Sequence, residues 1–159
     1  MIQLNPLSEE DYQAHLALLI PEYAQEHVAA GNWLAEEAEE KATQEIRQLL
    51  PAGLATPGHY WLAIDDEALG QRVGLLWLAV DERRQPPSAF IYDFVIDEPF
   101  RRRGYGRLAL LALEDKAREL GIGTISLHVF GHNHAARALY EKAGYEVTNL
   151  HMAKKVEGV

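Results

Sequence analysis

In the first fifty residues, apolar positions recur at helical intervals. Tyr12, Leu16, Leu19 and Ile20 fall roughly on one face, and Ser8 with Asp11 resembles a capping box opening that helix. Pro21 is expected to kink or end it, with a resumption through "EYAQEHVAAG" to a glycine stop at Gly31. Asn32 is placed to cap a second helix, "WLAEEAEEKATQEIRQLL", closed by Pro51. Ahead of both, "MIQLNPL" reads as a short strand.

After the loop "GLATPG" the pattern changes to compact apolar runs: "HYWLAI", "RVGLLWLAV" and "SAFIYDFVI". The connections "DDEALGQ" and "DERRQPP" are rich in turn residues, which predicts an antiparallel meander. Leu110, Leu113, Ala117 and Leu120 then mark an amphipathic helix ended by "GIG". "TISLHVF" reads as a strand, "NHAARALYEKAG" as a helix capped by Asn133 and stopped by Gly144, and "YEVTNLHMAKKV" as one or two closing strands. The order β-αα-βββ-α-β-α-β is that of an α/β fold. At 159 residues one domain, 1–159, is expected.

Composition narrows the function classes. There are no cysteines, hence no disulfide framework, thiolate zinc site or cysteine nucleophile. No eighteen-residue apolar run is present, and "MIQLNPLSEEDYQ" lacks the features of a secretory signal, so a cytoplasmic protein without membrane contact is expected. The formal net charge is −9, but it is unevenly spread. Residues 1–100 hold 18 acids against 5 Lys and Arg, a balance of −13; residues 101–159 hold 6 against 10, a balance of +4.

That basic half begins at the stretch "FVIDEPFRRRGYGRLALLALEDKAREL". One short cluster without aromatic interleaving or a basic helix face does not suit nucleic acid. "GYGRLA" formally fits a dinucleotide fingerprint, but "DEPFRRR" separates its glycines from the strand, and the next strand, "LHVF", lacks the ribose-binding acid. No Lys-Ser/Thr follows the glycines, which excludes a Walker loop. What remains is a strand–turn–helix anion site: amide N–H groups in a glycine-bearing turn, the positive end of a helix dipole, and Arg102, Arg103 and Arg107 around it.

"FVIDEPFRRRGYGRL" resembles the acetyl-CoA motif R/Q-x-x-G-x-G/A of the GNAT (Gcn5-related) N-acetyltransferases, with Arg101, Gly104 and Gly106 at its fixed positions. "NHAARALYEKAGYE" is similar to a second signature of that family, carried by Asn133, Ala136, Tyr140, Gly144 and Tyr145. "IYDFVI" is similar to its fourth-strand segment. The resemblance covers roughly residues 88–147 and implies the GNAT fold, a mixed, mostly antiparallel central sheet flanked by helices.

It also implies a co-substrate and roles. The pyrophosphate of acetyl-CoA would sit on the N–H groups of Arg102, Arg103, Gly104, Tyr105, Gly106 and Arg107, and the pantetheine arm would pair with the backbone of Phe94, Val95 and Ile96. Asn133 would contact the pantetheine or simply cap its helix. No metal is expected. Acetyl transfer to an amine needs a neutral amine, a donor to the thioester oxygen and a proton for the leaving thiolate. A lysine-like amine of pKa ~10.4 carries a protonation deficit of ~4–5 kcal/mol at pH 7, so a base or a water relay is the usual remedy. Tyr140 matches the family's proton donor; Asp93 and His128 are the candidate bases, and some members use only ordered water.

The implied activity is N-acetylation of a primary amine, a small amine, polyamine or other metabolite being favoured over a protein N-terminus or lysine. A non-catalytic acyl-CoA sensor is the rival of another class. Glu36, Glu37, Glu39 and Glu40 crowd one helix that would draw a cationic acceptor. Dimers are frequent in the family, and a homodimer is expected.

Overall fold

The computed structural model describes all 159 residues. Its centre is a five-stranded sheet in the order β1-β2-β3-β4-β5, formed by β1 (Ile2–Pro6), β2 (His59–Asp66), β3 (Gln71–Asp81), β4 (Ser88–Ile96) and β5 (Thr124–Leu127). The first four strands pair antiparallel, and β5 joins β4 in parallel. The α/β architecture and mixed, mostly antiparallel sheet are those expected.

The helices α1 (Glu9–Ala29) and α2 (Ala35–Leu49) cover one face of the sheet, α3 (Tyr105–Glu119) and α4 (His134–Lys142) the other. Strand alternation divides the apolar side chains between two cores. Leu62, Ile64, Val73, Leu76 and Ile91 meet Ala109, Leu110 and Leu113 of α3. Trp61, Ala63, Leu75 and Trp77 meet Tyr12 and Leu19 of α1 and Ile46 of α2. Small residues Ala24, Ala38 and Ala42 let α1 and α2 approach each other closely.

Two helix expectations are corrected. The helix α1 runs unbroken through Pro21 to Ala29, and the hydrogen bond that proline cannot donate would have gone to the carbonyl of Ala17. Both residues lie on the exposed face of the helix. Asn32 does not cap α2; Leu34 is the N-cap, its N–H donating to Glu37 Oε1 at 3.3 Å. Asn32 instead contacts His27 Nδ1 through its amide nitrogen at 3.1 Å. Ser8 does cap α1, accepting from the Asp11 N–H at 3.2 Å, and Asn133 caps α4, accepting from the Ala136 N–H at 3.2 Å.

The C-terminal segment also differs. The expected closing strands in "YEVTNLHMAKKV" are not paired: β5 is the last strand, ending at Leu127, and every residue from Glu146 onward is exposed.

Candidate active site

The turn between β4 and α3 is shaped by the backbone before any side chain acts. Arg102 and Gly104 both have positive φ, 61° and 84°. Arg101 Nε donates to the Ile96 carbonyl at 2.8 Å and ties the turn to the end of β4. The helical ladder of α3 starts only with Leu108, whose N–H reaches the Gly104 carbonyl. Six consecutive N–H groups, Arg102 through Arg107, therefore have no backbone acceptor in the chain. Such a run at a helix start is a ready anion receptor.

The two glycines have different reasons. Gly104 sits in the left-handed region with open space around a would-be Cβ. A Cβ on Gly106 would lie 3.0 Å from Leu139 Cδ2, so this glycine allows α3 to start directly against α4. Tyr105 turns away from the amide row; its hydroxyl donates to Asp66 Oδ2 at 2.6 Å and holds that carboxyl below the usual carboxylate range. Arg102, Arg103 and Arg107 are exposed around the row.

Beside the turn, β4 offers a free edge. Its pairing with β5 covers only Ser88–Ile91, so Tyr92–Ile96 have no strand on that side. The stretch includes Phe94, Val95 and Ile96.

A β-bulge then sets which side chains face this opening. Trp77 pairs with Asp93 and Leu78 with Ile91, leaving Tyr92 as the extra residue on β4. In a regular strand Asp93 would share a face with Ile91 and point into the α3 core. The bulge turns it to the opposite face, toward α1. There Asp93 Oδ2 lies 2.5 Å from His15 Nε2, and the two side chains are only 15% and 14% exposed. Tyr92 stacks on Trp77 at 4.7 Å between ring centroids, and Trp77 stacks on Trp61 at 4.5 Å.

Two further titratable groups feel Asp93. Burial, then the charges of Asp93 and Tyr145, push the Tyr140 hydroxyl up to about 12. The Tyr140 ring stands 6.3 Å from that of Phe94. Burial raises the pKa of Glu26 on α1, with the Glu22 and Asp93 charges adding to the effect. Asp93 is thus central to a group joining α1, β4 and α4.

His128 is elsewhere. It lies just past β5, exposed, with its ring 4.8 Å from Phe130. Its charge is felt by His27, whose pKa burial already lowers. Asn133 spends its side-chain oxygen on the helix cap. On α2, Glu36, Glu39 and Glu40 are exposed and Glu37 is paired with Lys41 at 2.8 Å, whereas Glu26 on α1 feels the charge of Asp93.

His15 and Glu26 were not among the residues expected from sequence. A signal existed for His15: it is a polar residue one position before Leu16, inside the apolar stripe of α1.

Comparison with known proteins gives a consistent picture. The pattern of the acetyltransferase (GNAT) family matches residues 16–145. The chain is 42% identical over 157 residues to a Bacillus subtilis protein named uncharacterized N-acetyltransferase YycN, covering 98% of this chain and 99% of that one. The crystal structure of YycN superposes with a TM-score of 0.93 at 41% identity, again over 98% and 99% of the two chains. A mycothiol acetyltransferase of Propionibacterium freudenreichii is 34% identical over 123 residues, 77% of this chain but 36% of that longer protein. A GCN5-related N-acetyltransferase from Ralstonia eutropha, 22% identical with a TM-score of 0.65 over 99% and 100% of the chains, shares the fold.

Proposed function

The chain belongs to the GNAT acetyltransferase family and is an acetyltransferase, and we propose that it moves the acetyl group of acetyl-CoA to a primary amine by direct attack. The observation carrying this reading is the row of six unpartnered N–H groups, Arg102 to Arg107, beside an unpaired stretch of β4. The row fits a pyrophosphate in charge and hydrogen-bonding sense, and the edge Phe94–Ile96 fits an extended amide-bearing arm added as a strand. Acetyl-CoA supplies the activated acyl group; no metal is needed for this step.

The protein's part is to manage protons. An amine arriving as a cation is attracted by Asp93 and Glu26 and must lose a proton before it can attack. The His15–Asp93 pair is the proton acceptor in this reading. At 2.5 Å the two side chains are in direct hydrogen-bond contact, so a proton taken at one lies within reach of the other. Of the two candidate bases, Asp93 with His15 is favoured over His128, which is exposed and packed on Phe130.

At about 12, the Tyr140 phenol stays protonated throughout neutral pH and is always available as a donor. Complete transfer to a thiolate of ordinary pKa ~8.5 would be uphill by roughly 3.5 units, or ~5 kcal/mol. Tyr140 therefore acts by hydrogen-bonding the sulfur as charge develops, and the net proton returns from the base or from solvent.

The acceptor class favoured is a small amine or polyamine, because the two acids that feel each other beside the free β4 edge, Asp93 and Glu26, are largely and partly buried, a scale suited to one ammonium group. The test is thiol release from acetyl-CoA across a panel of polyamines, amino acids, aminoglycosides and peptides. Turnover with a small amine supports the reading. Tight acetyl-CoA binding with silence across the panel would replace it with an acyl-CoA sensor.

A further inference from the structure

Asp66 is the only carboxylate among the buried residues, 9% exposed, and no step of the proposed reaction uses it. It closes β2, opposite Ile2 of β1 and Gln71 of β3. Both of its oxygens are engaged. Oδ1 accepts from the Ala68 N–H at 2.9 Å and shapes the turn into β3, while Oδ2 accepts from the Tyr105 hydroxyl at 2.6 Å. The first bond is the ordinary work of an aspartate in a turn. The second reaches across 39 positions of sequence to a different element.

At its far end lies the start of α3, which lacks the usual restraint. The N-cap is Gly104, with no side-chain cap bond, and φ is positive at both Arg102 and Gly104. A helix start of this kind frays, because its first N–H groups have no partner within the helix and glycine adds backbone freedom. Arg101 secures only the entry to the turn, through the Ile96 carbonyl. Within the row Arg102–Arg107, Tyr105 is the one residue whose side chain makes a hydrogen bond. Its ring also meets that of Phe100 edge-on at 6.0 Å. The Asp66–Tyr105 bond thus ties the middle of the amide row to a strand that is paired on both sides.

We propose that Asp66 is a positioning residue for the donor site, a role that rests on reading the amide row as the pyrophosphate seat. Through the Tyr105 hydroxyl it fixes the first turn of α3, so that the Arg102–Arg107 amides are ordered before acetyl-CoA arrives. The benefit is preorganisation, since a row already ordered loses less freedom when the anion binds.

Attraction plays no part in it. The Tyr105 hydrogen bond holds the Asp66 carboxyl below its usual range, so the group is an anion at neutral pH. A negative charge behind the seat opposes an anionic ligand, and its removal on electrostatic grounds alone would tighten binding. Positioning and charge therefore predict opposite signs for the same substitution.

Calorimetry with acetyl-CoA on the full chain, well below the unfolding temperature of each variant, reads that sign. Tyr105→Phe deletes only the hydroxyl and should raise Kd about tenfold, the scale of one charge-assisted hydrogen bond. Asp66→Ala should raise it similarly despite losing a negative charge, and the double variant should be no worse than either. Asp66→Asn keeps a carbonyl acceptor for the hydroxyl and should recover most of the affinity. Backbone amide relaxation supplies the signature of preorganisation: in the free protein Arg102–Arg107 should be more mobile in Tyr105→Phe than in the wild type, and equally ordered once acetyl-CoA is bound. A wild type that does not bind acetyl-CoA would overturn both the donor-seat reading and the role of Asp66. A wild type that binds, with Tyr105→Phe binding equally well, with Asp66→Ala binding more tightly, or with the free row equally mobile in both, would overturn the role of Asp66 alone.

Discussion

His15 Nε2 and Asp93 Oδ2 lie 2.5 Å apart, joining α1 to β4 across 78 positions of sequence. The contact exists because Tyr92 is an extra residue in the β3–β4 register and turns Asp93 away from the α3 core. Both side chains are largely removed from solvent, so the hydrogen bond between them lies in a medium where charge interactions are strong.

If the pair accepts the amine's proton, either partner alone is insufficient. Asp93→Asn and His15→Gln should each lower kcat by about 100- to 1000-fold, the usual scale for a positioned base. The double variant should be little worse than either single one, because the two act as a unit. Acetyl-CoA affinity, read by calorimetry, should be unchanged in all three. Additive losses would separate the two residues' roles.

Tyr140→Phe should lower kcat by about 10- to 1000-fold while sparing acetyl-CoA binding, as for loss of one donor to developing charge. The pH profile is the sharper readout. With the hydroxyl pushed up to about 12, its ionisation cannot reduce the rate between pH 7 and pH 10. An alkaline limb near pH 9 that disappears in Tyr140→Phe would contradict the environment described for this phenol.

The two motif glycines should fail differently. Gly104→Ala forces a side chain into φ +84°, a strain of about 1–2 kcal/mol with no clash, and should weaken acetyl-CoA binding while the fold persists. Gly106→Val pushes on Leu139 from 3.0 Å and should cost about 1–3 kcal/mol of stability through overpacking. Thermal unfolding beside calorimetry distinguishes them; a Gly106→Val variant as stable as the wild type would remove the packing role of Gly106.

Glu26 gives a pH-dependent stability. Its carboxyl ionises near its ordinary 4.5 in the unfolded chain and at a higher pH in the folded one, chiefly through burial. The folded state binds more protons in that window, so this group's contribution to stability falls as pH rises through it. Glu26→Gln should therefore be more stable than the wild type at pH 7, and the gain should vanish below about pH 4.5. It should also raise KM for a cationic amine. A denaturation midpoint unaltered at both pH values would show that Glu26 ionises without penalty.

Features written in neighbouring residues were legible before folding. Ser8 and Asn133 cap the helices their spacing predicts, and the "RRRGYG" turn forms the expected row of free amides. Pro21 was misleading because local propensity is outweighed once a 21-residue helix buries Tyr12, Leu19 and Ala24 against the sheet and α2. Asn32 lost the cap to Leu34 because Glu37 reaches back to the Leu34 N–H.

The site was half legible. Asp93 and Tyr140 were placed by motif, but the partner of Asp93 was not, since a bulge at Tyr92 is a product of strand pairing rather than of local pattern. The tail was read as one or two strands from its composition, yet residues 146–159 pair with no strand, since composition alone does not supply an edge to join.

The donor seat is tested most directly by following backbone amide resonances while acetyl-CoA is titrated into the protein. The largest shifts should fall on Arg102 through Arg107, with a second group on Phe94–Ile96 and little change on α2. Tight binding that leaves the Arg102–Arg107 amides unmoved would contradict the assignment of this turn as the pyrophosphate site.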